Sequence, residues 1–264
     1  MSKRIAIIGG GNLGTAIAEG LLKSKFSKAS EIIVTKRNVS TLQSLKEKGI
    51  EITSDNAMAV KKSEVIILAV KPFQISEVLS SMKKELTINK LLISVVTSVT
   101  INELETLIKK KMHLFRAMPN TAIAIRESMT CVCSRQAGVP DIKYVNDLFS
   151  KLGKVVTIDE KLMEAATILG ACGTAYAMRY IRANIQGGIE IGFDATTASL
   201  IAAQTVKGAA ELLLQKGTHP EQEIDKVTTP KGCTIAGLNE MEHQGFSSSL
   251  IRGIVASYKK IEKG

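Results

Sequence analysis

Apolar positions fall into short unbroken runs in the first part of the chain and into helical spacing in the last part. Residues 4–8 (Arg-Ile-Ala-Ile-Ile) read as a buried strand, closed by Gly9-Gly10-Gly11. Residues 12–24 then carry Leu13, Ile17 and Leu21 on one helical face. Similar apolar runs predict strands over 31–35, 50–52, 64–70, 91–96 and 112–117, with helices near 40–48, 74–84 and 101–109. The run 64–70 is the clearest strand, and its end is expected at Lys71-Pro72, because proline has no N–H for the ladder. Strands that are apolar throughout, alternating with helices, predict a parallel sheet covered on both faces. From residue 161 onward no strand is expected. Residues 160–191 read as one long helix or two, 194–216 as a helix stopped by Gly217 and His219-Pro220, and 247–262 as a last helix. The segment 226–239 opens as a loop and enters a helix. The pattern predicts an α/β domain of nucleotide-binding type over 1–159, followed by an all-helical domain over 160–264.

Composition narrows the classes. The chain has 264 residues, Lys+Arg 35 and Asp+Glu 25, for a net charge of +10. With 45% hydrophobic and 23% charged residues, wholesale disorder is excluded. No Trp and 4% aromatic residues argue against a base-stacking platform, so nucleic acid is not an expected partner. The positive balance, with groups such as Lys109-Lys110-Lys111 and Lys259-Lys260, reads either as solvated surface or as a general pull on anionic small molecules. The four cysteines are Cys131, Cys133, Cys172 and Cys233; only the first two are close, and no His is near any of them in sequence. Neither a zinc site nor a disulfide framework is expected, and the thiols read as buried and free in a reducing compartment. No metal is expected. The first residues enter a strand directly instead of a signal peptide's apolar region, and no run approaches the roughly 18 apolar residues of a membrane span, so a cytoplasmic chain without membrane contact is expected.

Gly9-Gly10-Gly11-Asn12-Leu13-Gly14 matches G-x-G-x-x-G, directly after a strand and opening a helix. Gly9 permits the tight turn, Gly11 lets backbone approach a pyrophosphate, and Gly14 lets helix and strand pack closely. The helix start at Asn12-Leu13 offers N–H groups and a positive dipole end to phosphate. The second strand ends in Thr35-Lys36-Arg37, where an NAD-binding chain places an acidic residue about 20 residues on. Lys36 and Arg37 would pair with a 2′-phosphate that a carboxylate would repel, so NADP(H) is expected over NAD(H); plain surface cations are the alternative. Ala69-Val70-Lys71-Pro72 follows the fourth strand, at the edge where ligand crevices form, and is expected to bound the ribose–nicotinamide half. For Lys71 both a catalytic role and a turn-shaping role of the whole segment stay open.

Further motifs are Asn56, Arg116-Ala117-Met118-Pro119-Asn120-Thr121, Ala202-Ala203-Gln204-Thr205-Val206-Lys207-Gly208-Ala209 and Thr229-Pro230-Lys231-Gly232-Cys233-Thr234-Ile235-Ala236-Gly237-Leu238. Together with the glycine turn and Ala69–Pro72, they make the chain resemble the pyrroline-5-carboxylate reductase family over nearly its whole length. The resemblance implies a Rossmann-type parallel-sheet domain followed by an all-helical dimerisation domain. It implies NADPH-dependent reduction of 1-pyrroline-5-carboxylate to L-proline, the last step of proline biosynthesis, by a homodimer whose helical domains interleave and whose dimers often join into rings. It puts Asn56 on the adenosine side of NADPH. It puts the substrate carboxylate at Gly232, Cys233 and Thr234, held partly by backbone N–H groups and facing a cofactor bound by the partner chain. The chain departs from the family in three places. Gly170-Ala171-Cys172-Gly173-Thr174-Ala175-Tyr176 replaces Ser-Gly-Ser-Gly-Pro-Ala-Tyr, Lys231 replaces the first of two glycines, and Thr97-Ser98 replaces Ala-Gly. These changes keep open a reductase of another cyclic imine or oxo acid, and a non-catalytic NADP(H)-sensing protein on the same fold.

The implied reaction asks little acid–base chemistry of the protein. A cyclic imine protonated at nitrogen is already an electrophile, and the protein orients it against the hydride donor. The three histidines, His113, His219 and His243, form no motif. Thr234 is the candidate catalytic residue, a hydrogen-bond partner or proton relay at the imine nitrogen; a helix N-cap role for Thr234 stays open beside it. Cys172 and Cys233 fall near the implied pocket and read as small packing residues, since neither has a base in view. The run of small residues 170–175 suits a tight protomer interface or a break at Gly173.

Overall fold

A computed structural model describes residues 3–262. In its first part, strands and helices alternate as β1 (Ile5–Ile8), α1 (Asn12–Lys23), β2 (Ile32–Thr35), α2 (Gln43–Glu47), β3 (Glu51–Thr53), α3 (Asn56–Lys61), β4 (Val65–Leu68), α4 (Ile75–Met82), β5 (Leu91–Ser94), α5 (Ile101–Ile108) and β6 (His113–Met118). There follow β7 (Ser128–Arg135), α6 (Val139–Ser150) and β8 (Gly153–Thr157). All eight strands form one sheet in the order β3-β2-β1-β4-β5-β6-β7-β8. β1 lies between β2 and β4, with Ile5 beside Ile32 and Val65.

The apolar runs explain this sheet. β1, β2, β4 and β5 are buried at every position, so each strand needs apolar side chains on both faces. Ile5, Ile7, Val65 and Ile67 face a layer that includes Ile17, Leu21, Leu148 and Phe149 from α1 and α6. Ala6, Ile8, Ile66 and Leu68 face the other layer, with Val60, Leu79 and Leu104 from α3, α4 and α5. Three expectations change. β4 stops at Leu68, two residues before the expected end, because the chain turns away into Ala69-Val70. The segment after β6 adds β7, α6 and β8. β7 runs antiparallel to β6, so the sheet is mostly rather than wholly parallel.

Among the described residues, one charged side chain is built into this core. Arg116 in β6 is 2% exposed. It donates to Glu164 Oε1 at 3.0 Å and to Glu160 Oε1 at 3.3 Å. Glu160 also accepts from the Ile101 N–H at 2.7 Å and from Arg135 at 3.3 Å. These bonds tie β6, β7 and the start of α5 to the segment that enters α7 (Met163–Ala166).

α7 runs through a π-helical segment, Thr167–Cys172, into α8 (Gly173–Glu190). The helical path continues through Gly173, so the break, one of two readings of the small-residue run, does not occur. The chain divides into two compact units, Met1–Thr174 and Ala175–Gly264. The second unit continues with α9 (Ala195–Lys216), α10 (Pro220–Lys226), α11 (Cys233–His243) and α12 (Phe246–Glu262). Asp194 caps α9 by accepting from the Thr196 and Thr197 N–H groups, both at 3.0 Å, and Gly217 ends it in the left-handed region. Tyr176 donates to Ser257 Oγ at 2.7 Å, joining α8 to α12. In the single chain, α8 and α12 bury none of their described residues, while Leu200, Leu214 and Ile251 are 60–70% exposed. Among the described residues, no helix is long and apolar enough to cross a membrane.

Candidate functional site

A cavity of about 1020 Å³ opens in the first unit, along the carboxyl ends of the parallel strands. Its lining begins after β2 with Lys36, Arg37 and Asn38, passes the glycine turn after β1, and reaches Ala69–Pro72 after β4. It continues to Val95 and Thr97 after β5, and to Pro119 and Asn120 after β6. From β2 to β6 the sheet order counts four strand spacings of about 4.8 Å, a span of roughly 19 Å that suits an extended dinucleotide.

The glycine turn fits a pyrophosphate by its shape. Gly9 has φ +112°, and a Cβ there would lie 2.5 Å from the Ala69 carbonyl oxygen. A Cβ on Gly14 would lie 2.1 Å from the Gly9 carbonyl oxygen, so Gly14 packs beneath the turn and is absent from the cavity lining. Gly14 therefore shapes the turn from below, through the close approach of helix and strand, and does not face the cavity. At Gly11 an added Cβ would meet nothing within 4 Å, which leaves the cavity side of the turn open. Gly11 is also the N-cap of α1, with no side-chain cap and no acidic residue in the first turn. The early N–H groups of α1, from Asn12 and Leu13 on, and the positive dipole end are left for an anion.

Lys36 is half-buried and Arg37 exposed, and among the described residues neither forms an ion pair with the protein's own carboxylates. The Lys36 N–H donates to the Thr53 carbonyl at 3.0 Å, which fixes the strand end while leaving both cationic heads available. Asn56 opens α3 and lines the same end of the cavity, behind the Asp55 cap that accepts from the Met58 N–H at 2.9 Å. Across the glycine turn, Ala69, Val70, Lys71 and Pro72 line the cavity; the Lys71 N–H is fixed by Gln74 Oε1 at 3.2 Å.

The chain is similar to known proteins along its whole length. Residues 160–263 match the family model described as pyrroline-5-carboxylate reductase dimerisation. Residues 4–98 match one described as NADP oxidoreductase coenzyme F420-dependent. Pyrroline-5-carboxylate reductase 2 of Dictyostelium discoideum is 43% identical over 278 residues, covering 99% of this chain and 93% of that protein. The chain belongs to the pyrroline-5-carboxylate reductase family. Reductase 1 of the same organism is 47% identical over 97% of this chain, which spans 49% of that relative's own length. The crystal structure of Plasmodium falciparum pyrroline carboxylate reductase with NADP bound is similar at a TM-score of 0.88 and 28% identity, covering 99% of this chain and 97% of that one.

The residues that the reductase resemblance assigns to substrate lie in the second unit, at the start of α11. Gly232 is the N-cap, with extended backbone and no side-chain cap. Thr234 is the second helical residue, so the N-cap reading of Thr234 is corrected: Gly232 takes that position. Cys233, expected as a packing residue, is exposed, and Cys172 is half-buried. The early N–H groups of α11 lack side-chain partners, the arrangement that receives a carboxylate.

The preceding turn is closed by the Gly232 N–H donating to the Thr229 carbonyl at 2.9 Å. Lys231 sits in it at φ +58°, where a glycine-bearing reductase has no Cβ to strain. Replacing Lys231 by Gly is expected to stabilise the protein by about 0.5–1 kcal/mol, the left-handed penalty less glycine's extra chain entropy. Urea unfolding checks this, and a lower midpoint in the variant would mean the Lys231 side chain makes a contact worth more than the strain.

Cys131 and Cys133 are buried as expected. Burial pushes the Cys133 thiol up to about 11, with Glu160 adding to it and Arg116 opposing. It stays protonated and is a packing group rather than a nucleophile. Among the lining residues to which the sequence reading gave no site role are Asn38, Ser54, Thr97, Pro119, Asn120 and Thr121. The rule that ligands lie beyond the carboxyl ends of parallel strands points to the last four, once β5 and β6 are recognised as neighbours.

Proposed function

We propose that this chain is an NADPH-dependent reductase of 1-pyrroline-5-carboxylate, yielding L-proline, with the NADP-binding domain over 1–159 and the dimerisation and substrate-loop domain over 160–264. The observation that carries the reading is the full-length similarity to reductases of that name, and the cavity supports its cofactor half. NADPH, when bound, supplies the hydride that the imine carbon accepts. In this reading the α1 N–H groups hold the pyrophosphate, Lys36 and Arg37 hold the 2′-phosphate, Asn56 borders the adenosine, and Ala69–Pro72 bound the nicotinamide half. The backbone N–H groups of Gly232, Cys233 and Thr234 hold the substrate carboxylate. The Thr234 hydroxyl keeps a proton at the imine nitrogen, so that the carbon stays electrophilic.

The working form is a homodimer through the helical domain. The exposed apolar side chains of α9 and α12 support this, since a single chain leaves them in water. Higher assembly of dimers and action in the cytoplasm belong to the same proposal. The free thiols, two of them buried, suit a reducing compartment.

The test is NADPH consumption with 1-pyrroline-5-carboxylate, run in parallel with NADH. Rapid turnover with NADPH supports the reading, and NADPH binding without turnover would reject it. Thr234→Ala is expected to lower kcat by about tenfold or more, while the NADPH Kd stays within about threefold. Equal kcat in the variant would remove Thr234 from the chemistry.

A further inference from the structure

The motif Arg116–Thr121 fills β6 and the turn after it. Two of its side chains reach the helical segment that closes the first unit. Asn120 is buried, and its polar groups are engaged in three directions. Its backbone N–H donates to Ser128 Oγ at 3.0 Å, and its Oδ1 accepts from the Ala122 N–H at 3.0 Å. These two bonds hold the turn itself. The third leaves it: Nδ2 donates to the Gly170 carbonyl at 3.1 Å. Gly170 lies within the π-helical segment, and the next residue, Ala171, lines the cavity together with Asn120. Widened π turns hold their backbone less firmly than α turns and recur at functional sites. The entry to this one is fixed at Glu164 by Arg116 and at Thr167, whose hydroxyl donates to the Met163 carbonyl at 2.8 Å. The Asn120 bond fixes its middle.

The sheet order says which end of a dinucleotide meets this wall. Lys36 and Arg37 stand after β2 and the pyrophosphate turn after β1, so the molecule must continue toward β4, β5 and β6. Asn120 and Ala171 are therefore at the nicotinamide end.

We propose that Asn120 is a positioning residue: through the Gly170 carbonyl it sets the wall that Ala171 presents to the nicotinamide ring. This rests on the reading of the cavity as the NADPH site. Asn120→Ser keeps a short acceptor for the turn but cannot reach Gly170. Asn120→Asp keeps the shape but sets an oxygen against the carbonyl.

The experiment compares the affinities of NADPH and of 2′-phospho-ADP-ribose, which lacks nicotinamide, in the parent protein and both variants, alongside kcat. Both variants are expected to weaken NADPH about tenfold and to lower kcat, with the fragment's affinity held within about twofold. In Asn120→Asp the NADPH affinity, relative to the parent, should recover as pH falls and the new carboxyl gains a proton to donate; in Asn120→Ser it should not. A merely structural role would weaken both ligands together, and that result would overturn the proposal. An unchanged NADPH-to-fragment ratio would overturn it as well. Should the Asp variant fail to fold, the Ser variant alone decides. A parent protein that binds neither ligand would overturn the cofactor reading, and this proposal with it.

Discussion

Replacing Lys36 and Arg37 together by alanine is expected to weaken NADPH binding by about a hundredfold and to leave NADH within about threefold. The 2′-phosphate is the only group that distinguishes the two cofactors, and it carries a double charge at neutral pH. Each charge-assisted bond to such a group is worth about 1.5–3 kcal/mol when formed. Exposure of Arg37 and part of Lys36 reduces that, which sets the estimate near a hundredfold instead of far above it. Neither head must leave an internal carboxylate to reach the phosphate, so no competing ion pair is broken on binding. The same reasoning predicts that NADPH affinity in the parent protein falls with added salt, and that the double variant loses most of this dependence. Isothermal titration at two salt concentrations measures both effects. If the double variant keeps its preference for NADPH, the 2′-phosphate lies elsewhere in the cavity.

The cation pair could be read from the sequence because it follows a strand that declares itself. Ile32-Ile33-Val34 is an unbroken apolar run closed by Thr35, and all four residues are buried, so the strand's end stands out in the sequence. The same holds for β1, β4 and β5. β7 was not legible in this way: Ser128-Met129-Thr130-Cys131-Val132-Cys133-Ser134-Arg135 mixes hydroxyls and thiols with few strongly apolar residues, and its burial becomes evident only against β6 and β8. β8 is a half-exposed edge strand, Gly-Lys-Val-Val-Thr, without the unbroken apolar run that marks the central strands. α6 did carry signals, with Pro140 in its first turn and Asp141 beside it, but they are weaker than a periodic apolar face.

The site divides along the same line. The glycine turn is a local motif whose backbone geometry follows from residue type, and Gly9 and Gly14 are held by contacts only a hydrogen atom permits. Asn120 and Gly170 are 50 residues apart, and Arg116 and Glu164 are 48 apart. No local pattern pairs them. They meet because β6 lies deep in the sheet and the segment after β8 returns across its end. The small-residue run 170–175 was likewise ambiguous, since small side chains serve a tight interface, a break and a π turn equally well.

Arg116→Met is the substitution expected to affect stability most, by about 2–4 kcal/mol. The methionine fills most of the arginine's volume, so the loss is chiefly electrostatic. Among the described residues Glu164 has no other cationic partner, while Glu160 keeps Arg135 and the Ile101 N–H. Both carboxylates are about one quarter exposed, so water recovers part of the loss, and the estimate lies below the full cost of breaking a wholly buried pair. For a chain of this length the melting temperature should fall by roughly 5–12 °C. Adding Glu164→Gln to Arg116→Met should restore about half of that, because the uncompensated charge disappears while the shape stays. The double-mutant cycle separates this account from simple packing. If the arginine were present mainly to fill space, the Glu164→Gln change would be additive with Arg116→Met and would restore nothing. Because Glu164 lies in α7, the turn that leads into the π-helical segment, Arg116→Met is also expected to raise the NADPH Kd more than that of the nicotinamide-free fragment. Equal loss of both ligands would place the arginine in the fold alone.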